Sequence, residues 1–138
     1  MIVQDIYLED WDWTIKVFYV VDTCYIEVIL AELENINCPE DTLLRVEKCL
    51  KEVNTGVTYS NLKYKYSIIV IGQSTSPIEF LNTWDHEKCH IANHIGEEFN
   101  IEVNSEDFAY LFGDIGKSMF PIAKKFLCEH CKDELRRE

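Results

Sequence analysis

The sequence predicts an α+β fold, and three observations carry that prediction. Runs of alternating, β-branched or aromatic residues occur near the start of the chain and again near its middle. Each such region is followed by stretches whose apolar residues recur at helical spacing. One of those stretches opens with a complete capping signal. At 138 residues, 47% of them hydrophobic, the chain suits one domain spanning residues 1–138 that buries roughly two-thirds of its unfolded surface.

Trp13 to Val21 (WTIKVFYVV) reads as a strand, paired with Ile6 to Glu9 across a turn at Asp10 to Asp12. Two helices are expected next. The first covers Thr23 to Glu34, with Ile26, Ile29, Leu30 and Leu33 on one side; the second starts after Cys38, with Pro39 in its first turn, and runs to Val53. Val57 to Asn61 and Tyr66 to Ile71 read as an antiparallel hairpin, and the run SIIVI implies a strand buried on both faces or lying against the next helix. That helix begins at SPIE, where Ser76 caps, Pro77 suits the first position and Glu79 completes a capping box. Leu81, Trp84, Ala92, Ile95 and Phe99 then form the stripe expected to face the core. A fourth helix is expected from Asn104 or Ser105, carrying Phe108, Leu111, Phe112, Ile115 and Met119, with Pro121 ending it or restarting it as a terminal helix.

Charge and composition exclude several classes of function. A formal net charge of −12 repels a phosphate backbone, and the basic pairs Lys63 with Lys65, Lys124 with Lys125, and Arg136 with Arg137 are too short to override it, so no nucleic acid partner is expected. No run approaches the ~18 to 20 apolar residues of a membrane span, and the acidic, aromatic opening Met1 to Asp12 is unlike a signal peptide. An intracellular protein with no membrane partner is the expectation, its six scattered cysteines reduced.

The chemistry concentrates in His86-Glu87-Lys88-Cys89-His90, an HExxH motif. Histidines at i and i+4 share a helix face and can reach one zinc ion, while the glutamate between them, rotated about 100° from the first, meets the water at the open position instead of the metal. Zinc lowers the pKa of that water to about 7, and the carboxylate takes its proton. For a third ligand, His94 lies about 12 Å along the axis from His86, too far for both to bind one ion. Glu106, separated from His90 by fifteen residues, leaves enough chain for a second helix to return beside the first. Tyr110, one turn further, is a candidate to hold a ligand or an oxyanion, with half-buried packing as the competing role. Asp85, Asp107 and Asp114 are candidates to hold a histidine's far nitrogen. Cys128-Glu129-His130-Cys131 offers one CxxC pair, too few ligands for a structural zinc by itself.

HExxH with a downstream helical glutamate resembles the zincin metallopeptidases of the gluzincin type. NTGVTYSN (54–61), SIIVIG (67–72), SPIEF (76–80), HEKCHIANHI (86–95) and SEDFAYLFGDIG (105–116) resemble more closely the small HExxH proteins of bacteriophages and mobile elements of gut Bacteroidetes. The resemblance implies a zincin-like fold: a small antiparallel or mixed sheet packed with the motif helix and a ligand-bearing helix, with Glu106 as third ligand. It also implies a bacterial host cytoplasm or a virion as the location. The position four residues after Glu106 departs from the gluzincin pattern, which has an aspartate where this chain has Tyr110. Two functions are therefore expected: a zinc metallopeptidase acting on a peptide or protein, with His86, His90 and Glu106 as ligands and Glu87 as base, or a non-catalytic zinc-binding phage structural or host-interaction protein.

Overall fold

A computed structural model describes residues 1–20, 25–130 and 135. Among the described residues four strands and four α-helices follow one another in the order β1 (Ile2–Leu8), β2 (Trp13–Tyr19), α1 (Ile26–Asn35), α2 (Glu40–Leu50), β3 (Gly56–Asn61), β4 (Tyr66–Ile71), α3 (Pro77–Glu98) and α4 (Glu106–Ala123), giving an α+β fold. The sheet is mixed, with strand order β1-β2-β4-β3. The outer pairs are antiparallel and β2 runs parallel to β4, with Val17 opposite Ile69. No helix among the described residues is long and apolar enough to cross a membrane.

Alternation along the central strands decides the layering, because successive side chains point to opposite faces. Val17, Tyr19, Ile69 and Ile71 join one cluster with Phe80, Trp84, Ile91 and Ile95 of α3 and Leu111, Ile115 and Met119 of α4. Phe18, Ile68 and Val70 join a second with Ile29 and Leu33 of α1 and Val46 and Leu50 of α2. SIIVI is thus buried on both faces, as a central strand between two helical layers must be. The tight links pass through left-handed backbone: at Asp12 (φ 50°) after the 3₁₀ turn Glu9–Trp11, where a short polar side chain tolerates it, and at Lys65 (φ 51°) in the β3–β4 hairpin.

α3 starts where the capping signal puts it. Ser76 Oγ accepts from the Glu79 amide at 3.3 Å and Pro77 occupies the first turn. Ser105 caps α4 in the same way, accepting from the Phe108 amide at 3.2 Å.

Several boundaries differ from the sequence expectation. β1 begins at Ile2 instead of Ile6, since its whole length pairs with β2. The expected start of α1 at Thr23 lies outside the described residues. α2 ends at Leu50, short of Val53. α4 passes through Pro121 to Ala123 before a 3₁₀ turn at Lys124–Phe126; proline in this last stretch forfeits one carbonyl partner without ending the helix. Leu81 is 40% exposed, not core. The arc of α3 that meets the sheet is Phe80, Trp84, Ile91 and Ile95, rotated from the stripe centred on Leu81 and Phe99. Gly113 and Gly116 inside α4 each cost about 1 kcal/mol of helix propensity relative to alanine.

Ile91→Ala should therefore destabilise the protein by about 2 to 5 kcal/mol, and Leu81→Ala by no more than about 1 kcal/mol. Denaturant unfolding of both variants checks this, and equal losses would mean that α3 is rotated from the orientation described.

Candidate functional site

Three sides of α3 have different neighbours, and the HExxH residues are divided among them. At about 100° per residue, Thr83, Glu87 and His94 lie within ~40° of one direction, and this side faces β3. Trp84, Lys88 and Gly96 form the side against α4: the Trp84 indole approaches Met119 Sδ at 3.4 Å, Lys88 lies against Gly116, and Phe108 covers Gly96. His86 and His90 project between the β3 side and open solvent, and both are exposed.

The two imidazoles converge. Their Nε2 atoms are 3.1 Å apart and their ring centroids 4.7 Å apart, at an interplanar angle of 76°. Two nitrogens on one tetrahedral zinc at ~2.0 to 2.1 Å are separated by about 3.3 Å, so the spacing fits a shared ion.

Glu87 is turned inward and only 3% exposed. Its Oε1 accepts from Thr58 Oγ1 at 2.8 Å. Gly56, two residues earlier on β3, is what admits the carboxylate: a Cβ there would lie 2.8 Å from Glu87 Cγ and 2.9 Å from its Oε2. Glu87 and His86 line one cleft of about 260 Å³ with Gly56, Thr83, Asn54 and Cys49, between β3 and the two helices α2 and α3. Burial pushes the Glu87 pKa above the usual carboxylate range, opposed by the Thr58 hydrogen bond and by the neighbouring His86 and His90.

His94 has another task. Its Nδ1 is 2.7 Å from Ser60 Oγ, which is 2.6 Å from Ser67 Oγ, which accepts from the Trp13 indole at 2.8 Å. The indole can only donate, so Ser67 is free to donate onward to Ser60, and Ser60 to an unprotonated Nδ1 of His94. Burial, followed by the nearness of His90, lowers the His94 pKa and keeps the ring neutral, in keeping with that direction. His94 Nδ1 is thus engaged by Ser60 on the β3 side of the helix.

The structure does not bring Glu106 or Tyr110 to the histidines. Glu106 is exposed at the first position of α4, and the α3–α4 pairings place it level with the end of α3, about 12 Å along the axis from His90. Tyr110 is 69% exposed. Both belong to a helix that packs on the side of α3 turned roughly 160° from His86 and His90. Among the described residues no three His, Cys, Asp or Glu side chains come together in a group able to hold a metal ion. Asp85 pairs with Lys88 at 3.0 Å, and Asp107 and Asp114 are exposed on α4. Cys89 is exposed and accepts a long contact from Asn93, and Cys38, Cys49 and Cys89 are in no disulfide among the described residues. The second cysteine of the CxxC pair, Cys131, lies outside the described residues.

Sequence reasoning missed Gly56, Thr58 and Ser60. Their signal was present: in NTGVTYSN the alternate positions Gly56, Thr58 and Ser60 are all small, a strand face kept low so that a helix with polar side chains can lie on it.

The Glu87 shift has a definite sign in stability. The folded protein holds a proton at Glu87 at pH values where the unfolded chain has released it, so stability falls as pH rises from the ordinary glutamate pKa through the raised one. In metal-free buffer Glu87→Gln should remove that slope and melt above the wild type at pH 7. An unchanged slope in thermal melts from pH 4 to 8 would show that the carboxylate is solvated.

No protein-family model matches the chain, and no curated protein or solved structure is significantly similar to it.

Proposed function

We propose that the chain is a zinc-dependent, zincin-like hydrolase of peptide bonds in which His86 and His90 hold the metal and Glu87 handles the proton of the attacking water. The observation that carries this reading is the convergence of the two Nε2 atoms, 3.1 Å apart, at the mouth of a cleft that Glu87 also lines. Two of the three expected protein ligands suit a shared ion; Glu106 in its present position does not. A bound zinc ion would supply Lewis acidity at that mouth.

The chain's own residues do the rest. Thr58 fixes one carboxylate oxygen of Glu87 and leaves the other for a proton. Burial makes that carboxylate a stronger base than an exposed one, which is the direction general-base work near neutral pH requires. The exposed face bearing His86 and His90 leaves the remaining metal positions to water and substrate. A location in the bacterial cytoplasm and a peptide or protein substrate belong to the same proposal, as does kinship with the phage and mobile-element proteins.

A second reading, a non-catalytic zinc-binding protein of phage structural or host-interaction type, is favoured by one specific observation. Glu87 is almost wholly buried and already engaged by Thr58, as a structural carboxylate would be.

Metal analysis combined with a peptide-library cleavage assay separates the readings. Wild type should carry about one zinc per chain, His86→Ala and His90→Ala should lose it, and Glu87→Gln should keep it while losing cleavage. Full zinc retention in both histidine variants sinks the metal site. Zinc with no cleavage in the wild type leaves the structural reading standing.

A further inference from the structure

Lys88 occupies the third position of the HExxH motif, yet it points away from the histidines into the seam between α3 and α4. It is only 9% exposed. Its Nζ lies 3.9 Å from the centroid of the Trp84 ring and 5.5 Å from that of Phe112, and pairs with Asp85 at 3.0 Å. Above it opens an apolar groove of about 410 Å³ with Trp84 and Lys88 on one wall and Phe112, Gly113 and Gly116 on the other. Lys117 and Phe120 border the mouth, and Phe120 is 49% exposed.

Two features indicate a groove that holds something. The first is the pair of glycines inside α4. An alanine Cβ at 113 would meet nothing within 4 Å, and at 116 only the Lys88 side chain at 3.7 Å. Packing therefore does not demand glycine at either place, although the helix loses propensity at both. Their common effect is a bare wall. The second is charge. In a chain of formal net charge −12, two ammonium groups border one apolar groove, and Lys117 makes no ion pair among the described residues. Asp85, the partner of Lys88, is 57% exposed, so solvent can take over that carboxylate when another anion approaches.

We propose that this groove binds a small apolar carboxylate, an acyl chain or aromatic ring with one carboxylate group. The apolar body lies on Trp84, Phe112 and Phe120, and the carboxylate accepts from Lys88, with Lys117 closing the mouth. An ammonium in an apolar setting makes a stronger charge-assisted hydrogen bond than one in water, and the aromatic walls supply the apolar contact. The site is separate from the histidine face, since Lys88 is turned roughly 160° from both His86 and His90.

Octanoate, with octanamide as its uncharged isostere, tests the proposal by NMR titration of the full metal-free chain. Octanoate should shift the amides of Lys88, Gly113 and Gly116 saturably and bind about tenfold tighter than octanamide, the advantage of one charge-assisted hydrogen bond. Lys88→Met, which keeps the aliphatic stem, should erase that preference. Gly113→Leu, at a position open to solvent, should block both ligands without loss of fold and so serves if Lys88→Met fails to fold. Equal affinity for the two ligands, unchanged octanoate binding in either folded variant, or no saturable shift at millimolar octanoate would overturn it.

Discussion

The orientation of α3 on the central strands governs everything else at the site. Ile91 and Ile95 are fully buried against Ile69, Ile71 and their neighbours, which sets the rotation of a 22-residue helix about its own axis. Once that rotation is fixed, a helix with 3.6 residues per turn has no further choice about which side each residue occupies. Glu87 must meet β3, Lys88 must meet α4, and His86 and His90 must look outward. One five-residue motif thus contributes to a polar cleft, an apolar seam and an exposed pair of imidazoles.

The seam between α3 and β3 is polar by construction. A sheet face covered by a helix is ordinarily filled with aliphatic side chains, but here Gly56, Thr58 and Ser60 leave room for Glu87 and His94, and Glu87 Oε1 and His94 Nδ1 each find a hydroxyl partner on β3. The relay from Trp13 through Ser67 and Ser60 to His94 ties β2, β4, β3 and α3 together with hydrogen bonds, holding the edge strand against the helix. That tie keeps β3 in register beside Glu87, so the position of the candidate base depends on residues far from it in sequence. Buried networks of this kind specify one arrangement because a half-satisfied alternative strands a polar group.

What was legible in the sequence was local. Ser76 and Pro77 announce the start of α3, and the run SIIVI announces a strand covered on both faces; neither needs knowledge of the rest of the fold. HExxH likewise places two imidazoles together from spacing alone. The rest depended on tertiary choices that local spacing does not encode. Leu81 read as core because helical periodicity gives a stripe but not its exact rotation against a sheet, and the bulky Phe80 and Ile91 took the inner positions. Glu106 read as a ligand because the chain after α3 is long enough to return along either flank of the helix. It returns along the flank of Trp84 and Lys88, where Phe108 packs over Gly96, and that choice carries Glu106 and Tyr110 away from the histidines.

The central claim is that α3 holds a metal ion through the convergent imidazoles of His86 and His90. X-ray absorption at the zinc edge of the metal-loaded protein tests it most directly, because scattering distinguishes imidazole nitrogen from thiolate sulfur. The expected result is a shell of nitrogen and oxygen at about 2.0 to 2.1 Å that includes two imidazoles. Sulfur at about 2.3 Å, or a shell without imidazole, would place the metal on cysteines or carboxylates and contradict the claim.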